Sequence, residues 1–214
     1  LLPDVKPDTP IKHSISEGTK YFTCYQHPEI KIYETESFSE VASLKLPGME
    51  PVKSHRISNT GKYIAVALAE QVEIWEVATQ SKLAEINIRA VETKVYEYDW
   101  RDYLQYVREV CFTADDSHLA FVRGGVIKKF RPTYWEPGAL PHVVNILYVW
   151  DMEQKKLIYQ GIPFQPTINA IGFTESKNEL LVSGTEWSLV KSEPGSVPET
   201  KETYSIKLLN LEEG

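Results

Sequence analysis

Cysteine is scarce in this chain: Cys24 and Cys111 are the only two. They fall in different segments and at different places within them. A disulfide framework or a zinc site needs more ligands at closer spacing. Both therefore read as buried free thiols, which points to a reducing, intracellular compartment, cytoplasmic or nuclear. Long apolar runs are lacking as well. None approaches the roughly 18–20 residues that a membrane-spanning helix needs, so no membrane partner is expected. The chain opens Leu1-Leu2-Pro3 without a methionine, so the lack of a recognisable signal peptide excludes nothing.

Positive charge is also short. The net charge is −7 and the sequence pI is about 5.3. Proteins that neutralise nucleic-acid phosphates usually present a basic surface, so DNA binding is argued against. RNA keeps one local route, the basic stretch Lys128-Lys129-Phe130-Arg131. Glycine-rich phosphate loops, nucleophile elbows, zinc-protease motifs and EF-hand spacings do not occur. No cofactor and no metal is expected, and the chain reads as a non-enzyme.

What the chain does have is repetition. Four segments align without gaps. They are Ile15-Ser16-Glu17-Gly18-Thr19-Lys20-Tyr21-Phe22, Ile57-Ser58-Asn59-Thr60-Gly61-Lys62-Tyr63-Ile64, Phe112-Thr113-Ala114-Asp115-Asp116-Ser117-His118-Leu119, and Phe173-Thr174-Glu175-Ser176-Lys177-Asn178-Glu179-Leu180. Each runs from an apolar anchor through Ser or Thr and a polar turn to a second anchor. Such turn residues bond nearby backbone or tolerate unusual dihedrals, and the alternating flanks read as half-buried strands. A third strand follows in each repeat, at Ile30–Glu34, Val72–Glu76, Leu147–Asp151 and Ile206–Asn210. A fourth follows in the first three, at Val41–Leu46, Lys82–Ile86 and Lys156–Tyr159. With 42% hydrophobic residues a packed core is within reach.

This pattern resembles the WD40 repeat. Val107, Val110, Phe112, Thr113, Trp150 and Asp151 carry the resemblance best, followed by Val52, Ile57, Ser58, Trp75 and Glu76. It implies an all-β propeller of four-stranded blades over nearly the whole chain, with repeats at about 10–47, 52–88, 107–162 and 168–214. The sequence departs from the family at the Asp that commonly precedes the Trp by six residues. Those positions hold His27, Ala69, Val144 and Thr203. Seven blades are usual in the family, so four imply part of a larger propeller, or one completed by another chain or domain. Leu1-Leu2-Pro3-Asp4-Val5 is a candidate for the strand that repeat four lacks.

Three insertions interrupt the pattern, at 87–106, 126–145 and 186–203. Given a propeller, connections between blades and between second and third strands emerge on one face. Long loops on a rigid scaffold commonly carry function. These loops are rich in the ring-bearing and arginine side chains that anchor protein interfaces. Tyr98, Trp100, Tyr103, Arg131, Tyr134, Trp135 and Trp187 are the expected partner-binding residues. The opposing reading folds these rings back onto the blades. His13 and His55 share a repeat position held elsewhere by Val110 and Ile171, which marks a buried strand site more than a metal pair. Asp115-Asp116 sit in a turn, where carboxylates are ordinary. The expected function is a protein-binding scaffold. The alternatives are an RNA-binding or translation-related propeller and a propeller-based hydrolase, which would need His, Asp, Glu or Ser groups converging from several blades.

Overall fold

The computed structural model describes residues 12–16, 18–48, 52–88, 103–127, 143–161, 163–164, 166–190 and 199–211. For 103–106, 125–127, 143–144, 166, 187–190 and 199–200 it is the backbone that is described. These residues form fifteen strands in four antiparallel sheets. Blade 1 is β1 (Lys12–Ile15), β2 (Tyr21–Gln26), β3 (Glu29–Glu34) and β4 (Glu40–Lys45). Blade 2 is β5 (Ser54–Ile57), β6 (Tyr63–Ala67), β7 (Gln71–Glu76) and β8 (Ser81–Asn87). Blade 3 is β9 (Tyr103–Phe112), β10 (His118–Ile127), β11 (Val143–Asp151) and β12 (Lys156–Gly161). Blade 4 has three strands, β13 (Pro166–Phe173), β14 (Glu179–Val190) and β15 (Glu199–Asn210). Each sheet is a meander whose strands pair in chain order. Among the described residues no helix is long and apolar enough to cross a membrane.

The repeat explains each blade. The paired anchors become register partners across the first hairpin: Ile15 with Phe22, Ile57 with Ile64, Phe112 with Leu119 and Phe173 with Leu180. The Ser or Thr after the first anchor closes the turn. Ser58 Oγ accepts from the Tyr63 amide at 3.1 Å, and Thr113 Oγ1 from the His118 amide at 2.9 Å. A register shift recurs between the third and fourth strands, at Ile32/Tyr33, Ile74/Trp75 and Val149/Trp150. Such a bulge bends and twists the outer strand.

The core lies between blades, because a two-sided sheet must cover both faces. Tyr25, Ile30 and Leu44 of blade 1 meet Ile64, Val66 and Trp75 of blade 2. Ala65, Ala67, Val72 and Ile74 of blade 2 meet Val110, Phe112, Leu119 and Phe121 of blade 3. Ala120, Val122, Leu147 and Val149 of blade 3 meet Phe164, Ile168, Leu180 and Val182 of blade 4. The first strands contact one another in the order β1, β5, β9, β13, so they form the inner wall. Among the described residues blade 4 has three strands. Residues 1–5, the candidate for a fourth, lie outside the described residues.

Candidate interaction surface

Two hairpins stand above the rest on one side of the molecule. Blade 2's central hairpin ends at the pair Ala67–Val72. The equivalent pair in blade 3 is Val122–Leu147, and pairing continues from there to Val126–Val143. In blade 4 the equivalent pair is Ser183–Ile206, and pairing continues to Val190–Glu199. At about 3.3 Å per strand residue these hairpins rise roughly 13 Å and roughly 23 Å above blade 2's turn. Blade 3's first strand climbs with them, since Tyr103 pairs with Ile127. The end of the 87–106 connection is therefore carried to the same height.

This revises the expected loops. Insertion 126–145 begins and ends as strand, leaving 128–142 as its connection, and insertion 186–203 likewise leaves 191–198. Of the expected partner-binding residues, Tyr103 opens β9 and Trp187 lies in β14 opposite Glu202. Both are on strands, not loops. The cause is hairpin extension: the added residues found ladder partners in each other. Tyr98, Trp100, Arg131, Tyr134 and Trp135 lie outside the described residues, as does Lys128-Lys129-Phe130.

Polar groups fix the bases of these hairpins, a buried arginine in blade 3 and a partly exposed ion pair in blade 4. Arg123, on β10, donates from Nη1 to the Ile88 carbonyl at 3.3 Å, clamping the start of the 87–106 connection to blade 3. Beside it Phe121 and Tyr148 stack with ring centroids 5.0 Å apart. Burial pushes the Tyr148 phenol pKa up, against the pull of Arg123. In blade 4, Lys207 donates to the Pro163 carbonyl at 2.7 Å and to Glu186 Oε1 at 2.6 Å, with its ammonium 4.3 Å from the Phe164 ring centroid. Gly184 leaves room for that ring: a Cβ there would meet Phe164 Cγ at 2.4 Å.

The opposite side is tied by turns. Asp116, at φ 61° in blade 3's first turn, accepts from Ser58 Oγ at 2.8 Å, from the Asn59 amide at 3.1 Å and from Thr60 Oγ1. Asn59 Oδ1 in turn accepts from the Gly18 amide of blade 1. The acidic turn is thus structural cement. Blade 2 has a polar cluster of its own. The buried Trp75 indole donates to Glu73 Oε2 at 3.0 Å, and Lys82 pairs with Glu73 at 3.1 Å.

The described histidines, His13, His27, His55 and His118, have separate surroundings. His55 is 4% exposed, packs near the Tyr25 ring and leaves Nε2 without a partner. Burial, reinforced by Lys12, lowers its pKa to about 4. His13 is exposed, with Nδ1 3.4 Å from Cys24 Sγ. His27 meets the Tyr25 hydroxyl at 3.0 Å. His118 lies 2.8 Å from Ser117 Oγ and 3.9 Å from Asp151, which looks like an acyl-transfer constellation. Its polarity is wrong. Ser117 gives its one hydroxyl proton to Asp115 at 2.6 Å, so it faces the imidazole as acceptor rather than as a nucleophile awaiting deprotonation. That hydroxyl, ahead of the Ser117 amide, holds the Asp115 pKa at about 2. Among the described residues no three His, Cys, Asp or Glu groups are placed to hold a metal. A cleft of about 210 Å³ between blades 2 and 3 is lined by Tyr63, Glu76, Trp150 and Lys155 with aliphatic neighbours.

The chain resembles a solved propeller, the Cps50 (Swd1) β-propeller domain of Myceliophteria thermophila, with 16% identity and a TM-score of 0.51. The match covers 87% of this chain and 53% of that one, so the chain spans about half of that propeller's length. The fold is a WD40-like β-propeller. No protein-family model matches the sequence, and no curated protein is similar to it. Sequence reasoning found the blades but missed Arg123, Glu73 and Asp116 as organising groups. Their only sequence signal is a charged residue where the repeat expects a strand or turn position.

Proposed function

We propose that this chain is a non-catalytic protein–protein interaction scaffold, a WD40-like propeller subunit or domain of a multiprotein assembly. Its docking face is the side from which the blade 3 and blade 4 hairpins and the 87–106 connection rise. The observation that carries the reading is the parallel extension of two adjacent hairpins on one side of a rigid β core. Hairpins held on a rigid scaffold give an interface with little ordering cost. The neighbouring solved propeller agrees in fold only. Cys24 and Cys111 are thiols rather than disulfides, in keeping with an intracellular, cytoplasmic or nuclear setting.

The test compares capture of proteins from native extract by the parent and by a Trp100→Glu/Trp135→Glu variant whose circular dichroism matches the parent. Loss of the same bound proteins with the variant supports the reading. Equal capture by both moves the docking surface elsewhere. An RNA-binding role, which the net charge of −7 disfavours, would appear instead as RNA affinity falling steeply with salt.

A further inference from the structure

Blades 2 and 3 part on the turn side of the molecule and leave the cleft of about 210 Å³ between them. Its walls are the Tyr63 and Trp150 side chains with Ile74, Leu83, Ala84 and Met152. All of these lie on the two middle blades. Tyr63 opens β6, and the Met152 amide donates to the Ser117 carbonyl of blade 3's first turn at 2.9 Å. The cleft is therefore on the side of the first turns, away from the extended hairpins.

Two differences between repeats open it. Ala84 stands opposite Ile74 on the outer strand of blade 2. The same place in blade 3, opposite Val149, holds Tyr159, which packs against the core between blades 3 and 4. One junction thus takes an aromatic side chain from its own outer strand, and its neighbour has only a methyl there. Blade 1 also has an alanine, Ala42 opposite Ile32, but buried Trp75 packs into that junction. Trp150 makes the second difference. Its equivalent Trp75 is 6% exposed, with the indole tied to Glu73. Trp150 is only half-buried, and Tyr148, stacked on Phe121, stands at the place of Glu73.

We propose that this cleft receives one aromatic side chain of a partner peptide, flanked in that peptide by carboxylates. Size selects a side chain over a whole small molecule. An apolar cavity of about 150 Å³ takes up benzene, whereas drug-sized ligands occupy about 300 Å³ or more. The walls select a ring, because two aromatic side chains and the Met152 thioether offer it favourable contacts. Charge selects the flanks. A cationic guest would find the Tyr63 ring already attended by the Lys62 ammonium, 4.8 Å from its centroid. The Glu76 carboxylate of the lining accepts from Thr79 Oγ1 at 2.7 Å. Exposed Lys155, in the following turn of blade 3 at φ 50°, also lines the cleft and supplies the cation that meets a peptide carboxylate.

Magnetic resonance of the indole N–H groups tests this on the full chain, with the Trp150 signal assigned through Trp150→Phe. The probe is acetyl-Asp-Tyr-Asp-amide, titrated to millimolar concentration at low salt. It should shift the Trp150 signal saturably, and acetyl-Asp-Ala-Asp-amide should not. Ala84→Tyr, which supplies the ring that blade 3 carries at the same place, should abolish the shift with circular dichroism unchanged. If that variant fails to fold, Ala84→Leu takes its place. Lys155→Gln should weaken binding roughly two- to fivefold, as loss of an exposed ion pair does. An unmoved Trp150 signal overturns the proposal. So does an equal response to acetyl-Lys-Tyr-Lys-amide, an unchanged affinity in Lys155→Gln, or binding that survives in a folded variant with the cleft filled.

Discussion

Ser58 and Asp116 lie on neighbouring blades, and the Ser58 hydroxyl donates to the buried Asp116 carboxylate at 2.8 Å. The serine also closes its own turn by accepting the Tyr63 amide. One residue therefore completes a hairpin and welds it to the next, which couples local folding to blade stacking.

Replacing Asp116 should therefore cost more than a turn residue ordinarily does. Asp116→Ala removes a charged acceptor from three donors and puts a Cβ-bearing residue without a local hydrogen bond at positive φ. Hydrogen bonds to charged groups contribute about 1.5–3 kcal/mol each in context, and their losses are not additive. The expected destabilisation is about 2–4 kcal/mol, read as a lower urea midpoint at unchanged slope. A loss of a few tenths would show that the blades are not joined through this turn.

His55 should make the fold sensitive to mild acid. Its folded pKa is lowered from 6.5 to about 4, chiefly by burial. Between those values the unfolded chain binds more protons than the folded one, so stability is full above pH 6.5 and falls as pH drops toward 4. The loss at the acid end is about 3 kcal/mol. His55→Leu should flatten the stability profile across that window while leaving the rest of it in place. An unchanged slope in the variant would assign the acid sensitivity to other groups.

Gly184 has a steric role beneath blade 4's long hairpin. A methyl there would collide with Phe164 Cγ at 2.4 Å and with the Thr167 carbonyl oxygen at 2.7 Å. Gly184→Ala should destabilise by about 1–3 kcal/mol, as overpacking does. Pairing it with Phe164→Leu should recover part of the loss, an interaction readable in a double-mutant cycle. Simple additivity of the two changes would show that they do not meet.

Removing Glu73 tests the polar cluster around the Trp75 indole. Glu73→Leu strands the buried Trp75 indole N–H and releases Lys82. A buried donor left unpaired costs about 1–3 kcal/mol. Glu73→Gln, which keeps an acceptor for the indole, should retain most of the stability in thermal melts. Equal losses in both variants would place the contribution in the Lys82 pair instead.

The sequence by itself determined the blades. Strand pairing within a blade is local, so an apolar anchor, a turn residue and a second anchor are enough to set a hairpin and its register. That is why Ile57–Ile64 and Phe112–Leu119 were legible as pairs. Tertiary structure alone decided the rest. Tyr103 and Trp187 became strand residues because the hairpins run on past the repeat, Tyr103 pairing with Ile127 and Trp187 with Glu202, where no anchor pattern marks the pairing. Asp116 and Arg123 gained their roles only when stacking put Ser58 and the Ile88 carbonyl within hydrogen-bond reach, whereas Glu73 reaches the Trp75 indole along its own strand.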